Sequence, residues 1–294
     1  MGWIQIQFTT QAEEQESLED ALLEAGAVSI TYVDAADQPI LEPGLNETPL
    51  WDAIQLLALF DSDIDTQDAL VMAEQAYGQS LPHYEVELLQ DKEWEREWMD
   101  DFHPMQFGQR LWICPSAHQP VDPNAVNVRL DPGLAFGTGT HPTTSMCLSA
   151  LDKMDVTDKE IIDVGCGSGI LSIAALMLGA KSVVGTDIDP QALTASRDNA
   201  QRNGIHDKNF TLFLAGEEPS DKKYDIVLAN ILAGPLVELA PMLTRYLKPG
   251  GIILLSGLLT EQQADVLDAY DQVGFQEFYT QEPWLCLEGI KAQG

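Results

Sequence analysis

The chain has 294 residues, 45 % of them hydrophobic, and sets 47 acidic against 15 basic side chains, a formal charge of −32. That balance is globular rather than disordered or collagenous, and the length is enough for about two domains, each able to bury a core. So negative a chain is excluded from an unassisted electrostatic grip on nucleic acid, which needs Lys and Arg to displace counterions, and docking on anionic membranes is disfavoured too.

The charge is uneven. Residues 1–100 hold 23 acidic groups and two basic ones, Lys92 and Arg96, whereas residues 101–294 hold 24 and 13. Either the first region is a solvated acidic surface, or it faces a basic partner whose encounter a complementary field would speed. Cys114, Cys147, Cys166 and Cys286 show neither paired nor zinc-type spacing. They are expected to be reduced thiols in a cytoplasmic protein. Met1-Gly2-Trp3 starts no basic, apolar leader, and the apolar stretch Ile170–Ala180 is too short for a bilayer.

In chain order, Trp3–Phe8 alternates as a strand, and Gln11–Ala25 places Leu18, Leu22 and Ala25 on one helix face before Gly26. Ala27–Val33 is a β-branched strand, and a turn-rich section with Pro39, Pro43, Gly44 and Pro49 follows. Ile54–Phe60, Thr66–Tyr77 and Tyr84–Leu89 then read as strand, helix and strand. The order βαββαβ is the ferredoxin-like signature, so residues 1–90 are expected to form a small α+β domain.

Residues 91–130 read as a connector. Trp94 and Trp98 lie four apart, hence on one helix face, and either pack the connector on a domain or wall a cleft. Short strands are expected at Arg110–Cys114 and Asn124–Leu130. Beyond them, apolar strands at Glu160–Val164, Ser182–Thr186, Phe210–Leu214, Tyr224–Ala229 and Gly251–Ser256 alternate with helices at Ile170–Leu178, Gln191–Asn203 and Ala233–Leu247. Near-continuous apolar strands between helices imply a parallel sheet covered on both faces. Phe275–Ile290 should add an antiparallel closing pair. Residues 131–294 are thus one α/β domain.

Four segments bear on chemistry. Asp163-Val164-Gly165-Cys166-Gly167-Ser168-Gly169-Ile170 is a strand, a glycine turn and a helix start, where the backbone can approach a ligand and free N–H groups point outward. The dinucleotide fingerprint wants a small third residue where Ile170 stands, which disfavours a nicotinamide dehydrogenase. Asp187 closes the next strand, 22 residues after Gly165, where a carboxylate accepts bonds from ribose hydroxyls; Asp189 before Pro190 is the better helix cap. Asn230 ends an apolar strand at the edge where open α/β sheets bind ligands. Leu134-Ala135-Phe136-Gly137-Thr138-Gly139-Thr140-His141-Pro142-Thr143-Thr144 is a glycine-rich loop able to close over a ligand, with Thr143 or Thr144 as cap of the next helix.

The D-x-G-x-G-x-G run resembles the cofactor motif of class I S-adenosylmethionine-dependent methyltransferases. Together with the loop and Asn230-Ile231-Leu232, the whole chain resembles the ribosomal protein L-eleven methyltransferases. Asn230 stands where amine-methylating relatives read N-P-P-Y, and the missing prolines and aromatic speak against a planar target. The resemblance implies a class I Rossmann-like sheet, S-adenosylmethionine as methyl donor and no metal. The substrate it implies is a basic large-subunit ribosomal protein, methylated on its N-terminal α-amine and lysines and gripped by the N-terminal domain. By position, Thr144, Asp163, Gly165, Gly167, Asp187 and Asn230 would bind the cofactor, with Phe136, Gly137 and Thr138 in a covering loop. Asn230 would also orient the amine. His141 is open to two roles, ordering its loop or acting as a base. A class I enzyme acting on another protein, a small molecule or RNA, and a non-catalytic assembly module, remain alternatives.

Overall fold

The computed structural model describes residues 2–11, 13–36, 51, 53–89, 102–131, 137, 139–206 and 208–293. It divides into two compact units, Met1–Trp94 and Glu95–Gly294. Trp94, Trp98, Phe136, Thr138 and the turn-rich section at 37–50 lie outside the described residues.

The first unit runs β1 (Trp3–Gln11), α1 (Gln15–Glu24), β2 (Ser29–Asp34), β3 (Ala53–Asp61), α2 (Thr66–Tyr77) and β4 (Tyr84–Leu89). Its sheet has the order β2-β3-β1-β4, with every neighbouring pair antiparallel. This is the ferredoxin-like arrangement. Strict alternation in β1 buries Ile4, Ile6 and Phe8 beneath Leu18 and Leu22 of α1 and Ala69 and Ala73 of α2. Asp65 caps α2 by accepting the backbone N–H groups of Gln67 and Asp68.

The second unit opens with a small sheet: β5 (Met105–Phe107), β6 (Leu111–Cys114) and β7 (Val126–Arg129). Three residues of β5 are too few for a period-two pattern to mark. Next come α3 (Pro142–Lys153), β8 (Glu160–Val164), α4 (Ile170–Met177), β9 (Ser182–Asp187), α5 (Pro190–Arg202), β10 (Phe210–Leu214) and β11 (Tyr224–Asn230). The chain then forms α6 (Ala233–Glu238), α7 (Ala240–Tyr246), β12 (Leu247–Leu259), α8 (Gln263–Ala269), β13 (Val273–Gln281) and β14 (Trp284–Lys291). The single helix expected over 233–247 is two, because Pro241 at the start of α7 withholds an N–H and ends the preceding turn.

The large sheet has the order β10-β9-β8-β11-β12-β14-β13. It is parallel through β12, and β14 runs antiparallel to both of its neighbours. Successive side chains feed opposite layers. Ile161, Ile226, Leu228 and Leu254 pack under α3 and α4, while Ile162, Val227, Ile253 and Leu255 pack under α6 and α7. Parallel pairing brings the carboxyl ends of β8, β9 and β11 to one edge, where strand order reverses about β8.

Candidate active site

The glycine turn after β8 is held from three sides. The N–H groups of Gly165 and Cys166 both donate to the Thr186 carbonyl, at 2.8 and 3.0 Å, stapling the turn to β9. Ser196 Oγ donates to the Gly167 carbonyl at 2.8 Å, and Asn199 Nδ2 to the Ser168 carbonyl at 2.9 Å. Ser168 Oγ donates to the Gly137 carbonyl at 2.6 Å, tying Gly137 to the turn. Gly165 has φ 76°, and a Cβ there would lie 2.3 Å from Ile231 Cγ2. Only glycine lets the turn lie against the residue that follows Asn230.

Ser196 and Asn199 were not among the expected site residues. They lie three apart on α5, so they share a face, and both are buried in a helix that is otherwise mostly polar and exposed. Two polar residues on the inner stripe of an amphipathic helix were the available signal.

The two aspartates play different parts. Asp163 is sealed beneath the turn; its Oδ2 accepts from Ser172 Oγ at 2.6 Å and its Oδ1 has no partner. Burial pushes its pKa up to about 6, against the Ser172 hydrogen bonds and with a smaller push from the Asp187 charge. Asp187 is half-buried at the end of β9. Its Oδ2 accepts the Gly167 N–H at 2.9 Å and its Oδ1 the Asp189 N–H at 3.0 Å. It therefore braces the glycine turn, and each oxygen keeps a lone pair for another donor. Asp189 caps α5 through the Gln191 N–H, leaving Asp187 free of that task, and Ile188 between them is 86 % exposed.

The cap of α3 differs from expectation. His141 takes it, its Nδ1 accepting the Thr143 N–H at 3.4 Å and lying 2.8 Å from Thr143 Oγ1, with Pro142 at the first helical turn. Pro142 favours extended backbone in the residue before it, which makes His141 the residue outside the helix. Thr143 and Thr144 are thereby turned inward and fully buried. Thr144 Oγ1 accepts from Asn230 Nδ2 at 3.2 Å. The Asn230 Oδ1 is buried with no partner. Burial lowers the His141 pKa, favouring the neutral ring, and its Nδ1 is engaged in the cap of α3.

The structure thus joins Gly167 with Asp187, Gly165 with Ile231, and Thr144 with Asn230 along one strand edge. Two buried oxygens there, on Asp163 and Asn230, lack donors, and unsatisfied groups of that kind call for a reason. The glycine cradle, the Asp187 carboxylate and the Asn230 acceptor fit a ligand rich in hydrogen-bond donors, as an amino-acid and ribose-bearing cofactor is. Among the described residues no cluster of three or more His, Cys, Asp or Glu could hold a metal ion.

The family model described as ribosomal protein L11 methyltransferase matches residues 2–292. A protein of that name from Cellvibrio japonicus is 52 % identical over 294 residues, covering 100 % of both chains. One from Haemophilus influenzae is 53 % identical over 291 residues, covering 98 % of each. The crystal structure of a ribosomal protein L11 methylase from Lactobacillus delbrueckii subsp. bulgaricus aligns with a TM-score of 0.58 at 34 % identity, over 65 % of this chain and 100 % of that one. The match runs through both units, and the chain belongs to the ribosomal protein L11 methyltransferase family.

Proposed function

We propose that the chain transfers methyl groups from S-adenosylmethionine to the N-terminal α-amine and lysine side chains of a large-subunit ribosomal protein. The observation that carries this reading is the meeting of Asn230, with its unsatisfied Oδ1, the glycine turn and Asp187 at one strand edge, in a chain of this family. Gly165, Gly167 and Asp187 would hold the cofactor together with Thr144 and Asn230, over the support of Asp163, and Phe136, Gly137 and Thr138 would cover it. S-adenosylmethionine supplies a methyl group on a sulfonium, so transfer forms an N–C bond while the C–S electron pair stays on sulfur.

The chain's own task is to orient a neutral amine and keep water out. A lysine is about three pKa units from neutrality at pH 7.4, each worth about 1.36 kcal/mol, whereas an α-amine near 7.7–8.0 is almost ready. Asn230 Oδ1 can accept one amine hydrogen and thereby aim the nitrogen lone pair; orientation and desolvation supply the rest. No general base or metal enters this reading.

Residues 1–90 would grip the substrate, residues 91–130 connect, and residues 131–294 catalyse. The partner is a basic protein, with no direct contact to nucleic acid or membrane. No described helix is long and apolar enough to cross a bilayer. The four cysteines are free and buried, which suits the cytoplasm. Isotopic methyl transfer to purified ribosomal proteins tests the whole reading. Label is expected in one basic protein alone; label in none of them overturns it.

A further inference from the structure

At one end of the large sheet stands β10, with β9 on one side and no described strand on the other. The Val183 N–H donates to the Asn209 carbonyl at 2.8 Å, and the Ala215 N–H to the Asp187 carbonyl at 2.9 Å. Backbone direction alternates along a strand, so Asn209, Thr211, Phe213 and Ala215 turn their polar groups to β9, and Phe210, Leu212 and Leu214 turn theirs outward. The Phe210 N–H goes to the His206 carbonyl, and the Leu214 carbonyl takes the Glu217 N–H. Among the described residues, both backbone groups of Leu212 are left at an open edge, together with the Phe210 carbonyl.

A cavity of about 210 Å³ lies along that edge, and Phe210, Thr211 and Leu212 all border it. Their side chains alternate between the two faces of the sheet, so a cavity that meets all three lies beside the strand rather than above it. Its inner wall is apolar: Ala200 from α5 and Ile205 from the turn after it join Phe210 and Leu212. Its rim is cationic. Arg197 reaches it from α5 and His206 from the turn, and Lys208 borders an adjoining hollow that His206 shares. No described Asp or Glu lines either space. Arg202 on the same helix is tied to Asp131 and Asn199, whereas Arg197 makes no ion pair or hydrogen bond with a described residue. With 47 acidic side chains against 15 basic, carboxylates are abundant, and an arginine that none of them reaches keeps its donors for another acceptor.

Unpaired strand groups, an apolar pocket beside them and a cation at the rim are the parts of a strand-addition site. An extended peptide laid along β10 would bond Leu212 through its own backbone. The cavity is smaller than the roughly 300–1,000 Å³ clefts that take drug-sized ligands, and it suits one branched aliphatic side chain. A carboxylate beside that side chain would meet the Arg197 guanidinium. One carboxylate suits the edge better than several, because the chain's charge of −32 repels a polyanion at longer range. We propose that the β10 edge docks an extended segment of a partner protein, through backbone pairing at Leu212, an aliphatic side chain in the cavity and a carboxylate at Arg197. The strands β9 and β8 separate β10 from β11, so the docked segment leaves Asn230 clear.

The test uses the full chain and a short, fluorescently labelled peptide that alternates threonine and valine around a single glutamate. Fluorescence anisotropy should show saturable binding. Glutamine in place of that glutamate should weaken it about tenfold, the loss of one charge-assisted contact. Methylation of the peptide's backbone nitrogens should abolish it. Arg197→Gln should weaken the glutamate peptide about tenfold and erase its advantage over the glutamine peptide. The S-adenosylhomocysteine affinity of that variant, measured by calorimetry, should match that of the unaltered chain. No saturable binding overturns the proposal, as does undiminished binding of the methylated peptide. N-acetylglutamate that binds as tightly as the peptide also overturns it, and makes the cavity a site for small carboxylates instead. If Arg197→Gln does not fold, the glutamine and methylated peptides decide on the unaltered chain: losses with both support docking, and no loss with either overturns it.

Discussion

The two units bury their sheets differently. In the first, one face of an antiparallel sheet carries the core, β1, β2 and β3 alternate, and the edge strand β4 leaves Tyr84, Val86 and Leu88 exposed. In the second, a mainly parallel sheet is packed on both faces, and its buried polar residues include Thr143, Thr144, Asp163, Ser168, Ser196 and Asn199 around one edge. A single-faced sheet is a surface for contact, whereas a doubly covered one can exclude water from a site. Burying so many polar groups is tolerable only where they satisfy one another or await a ligand.

The largest expected contrast comes from one substitution made in both units. Gly165→Ala combines left-handed strain with a clash against Ile231, so it should destabilise the second unit by about 3–5 kcal/mol. Gly78→Ala meets nothing within 4 Å at φ 77°, so it should cost the first unit only about 1 kcal/mol. Denaturant unfolding followed separately in each unit measures the difference; equal losses would break the contrast.

Asp163 sharpens it next. Its folded pKa, about 6, is raised above the ordinary carboxylate value of 3.8, so between these values the folded state holds a proton that the unfolded state has released. Stability of the second unit should therefore fall as pH rises through that window, by about 3 kcal/mol in all, with the full cost in place above pH 6. Asp163→Asn should flatten thermal-unfolding midpoints between about pH 4 and 6, and an unaltered profile would refute the assignment.

Asn230→Ala should lower kcat about 100-fold, or about 2.7 kcal/mol, at saturating cofactor and substrate. Retention of full turnover would remove Asn230 from amine orientation. The smallest effect concerns the first unit, which has no Lys or Arg before Lys92. Its binding to the ribosomal protein should weaken several-fold between low and physiological salt. Salt-independent binding would reduce its acidity to a solvated surface.

Much of this was legible in the residues. Thr66–Tyr77, Tyr84–Leu89, Glu160–Val164 and Phe210–Leu214 coincide with the observed elements, because alternation, apolar runs and flanking turn residues agreed there. Asp189 caps α5 as its place before Pro190 implied. Less legible were β5, too short for a pattern, and the break at Pro241. The cap of α3 was misread because His141 is a rarer cap than threonine.

By itself, the sequence determined the two kinds of sheet, the glycine turn, the acid that closes β9 and the asparagine that closes β11. These are local signals, set by side-chain period and by backbone freedom at single positions. Only the tertiary structure decided that Asp187 braces Gly167, that Ser196 and Asn199 hold the turn, and that Trp284, 54 positions beyond Asn230, stands beside it. Those relations depend on which strand edges crossovers bring together, and no period along the chain encodes a contact made across the sheet.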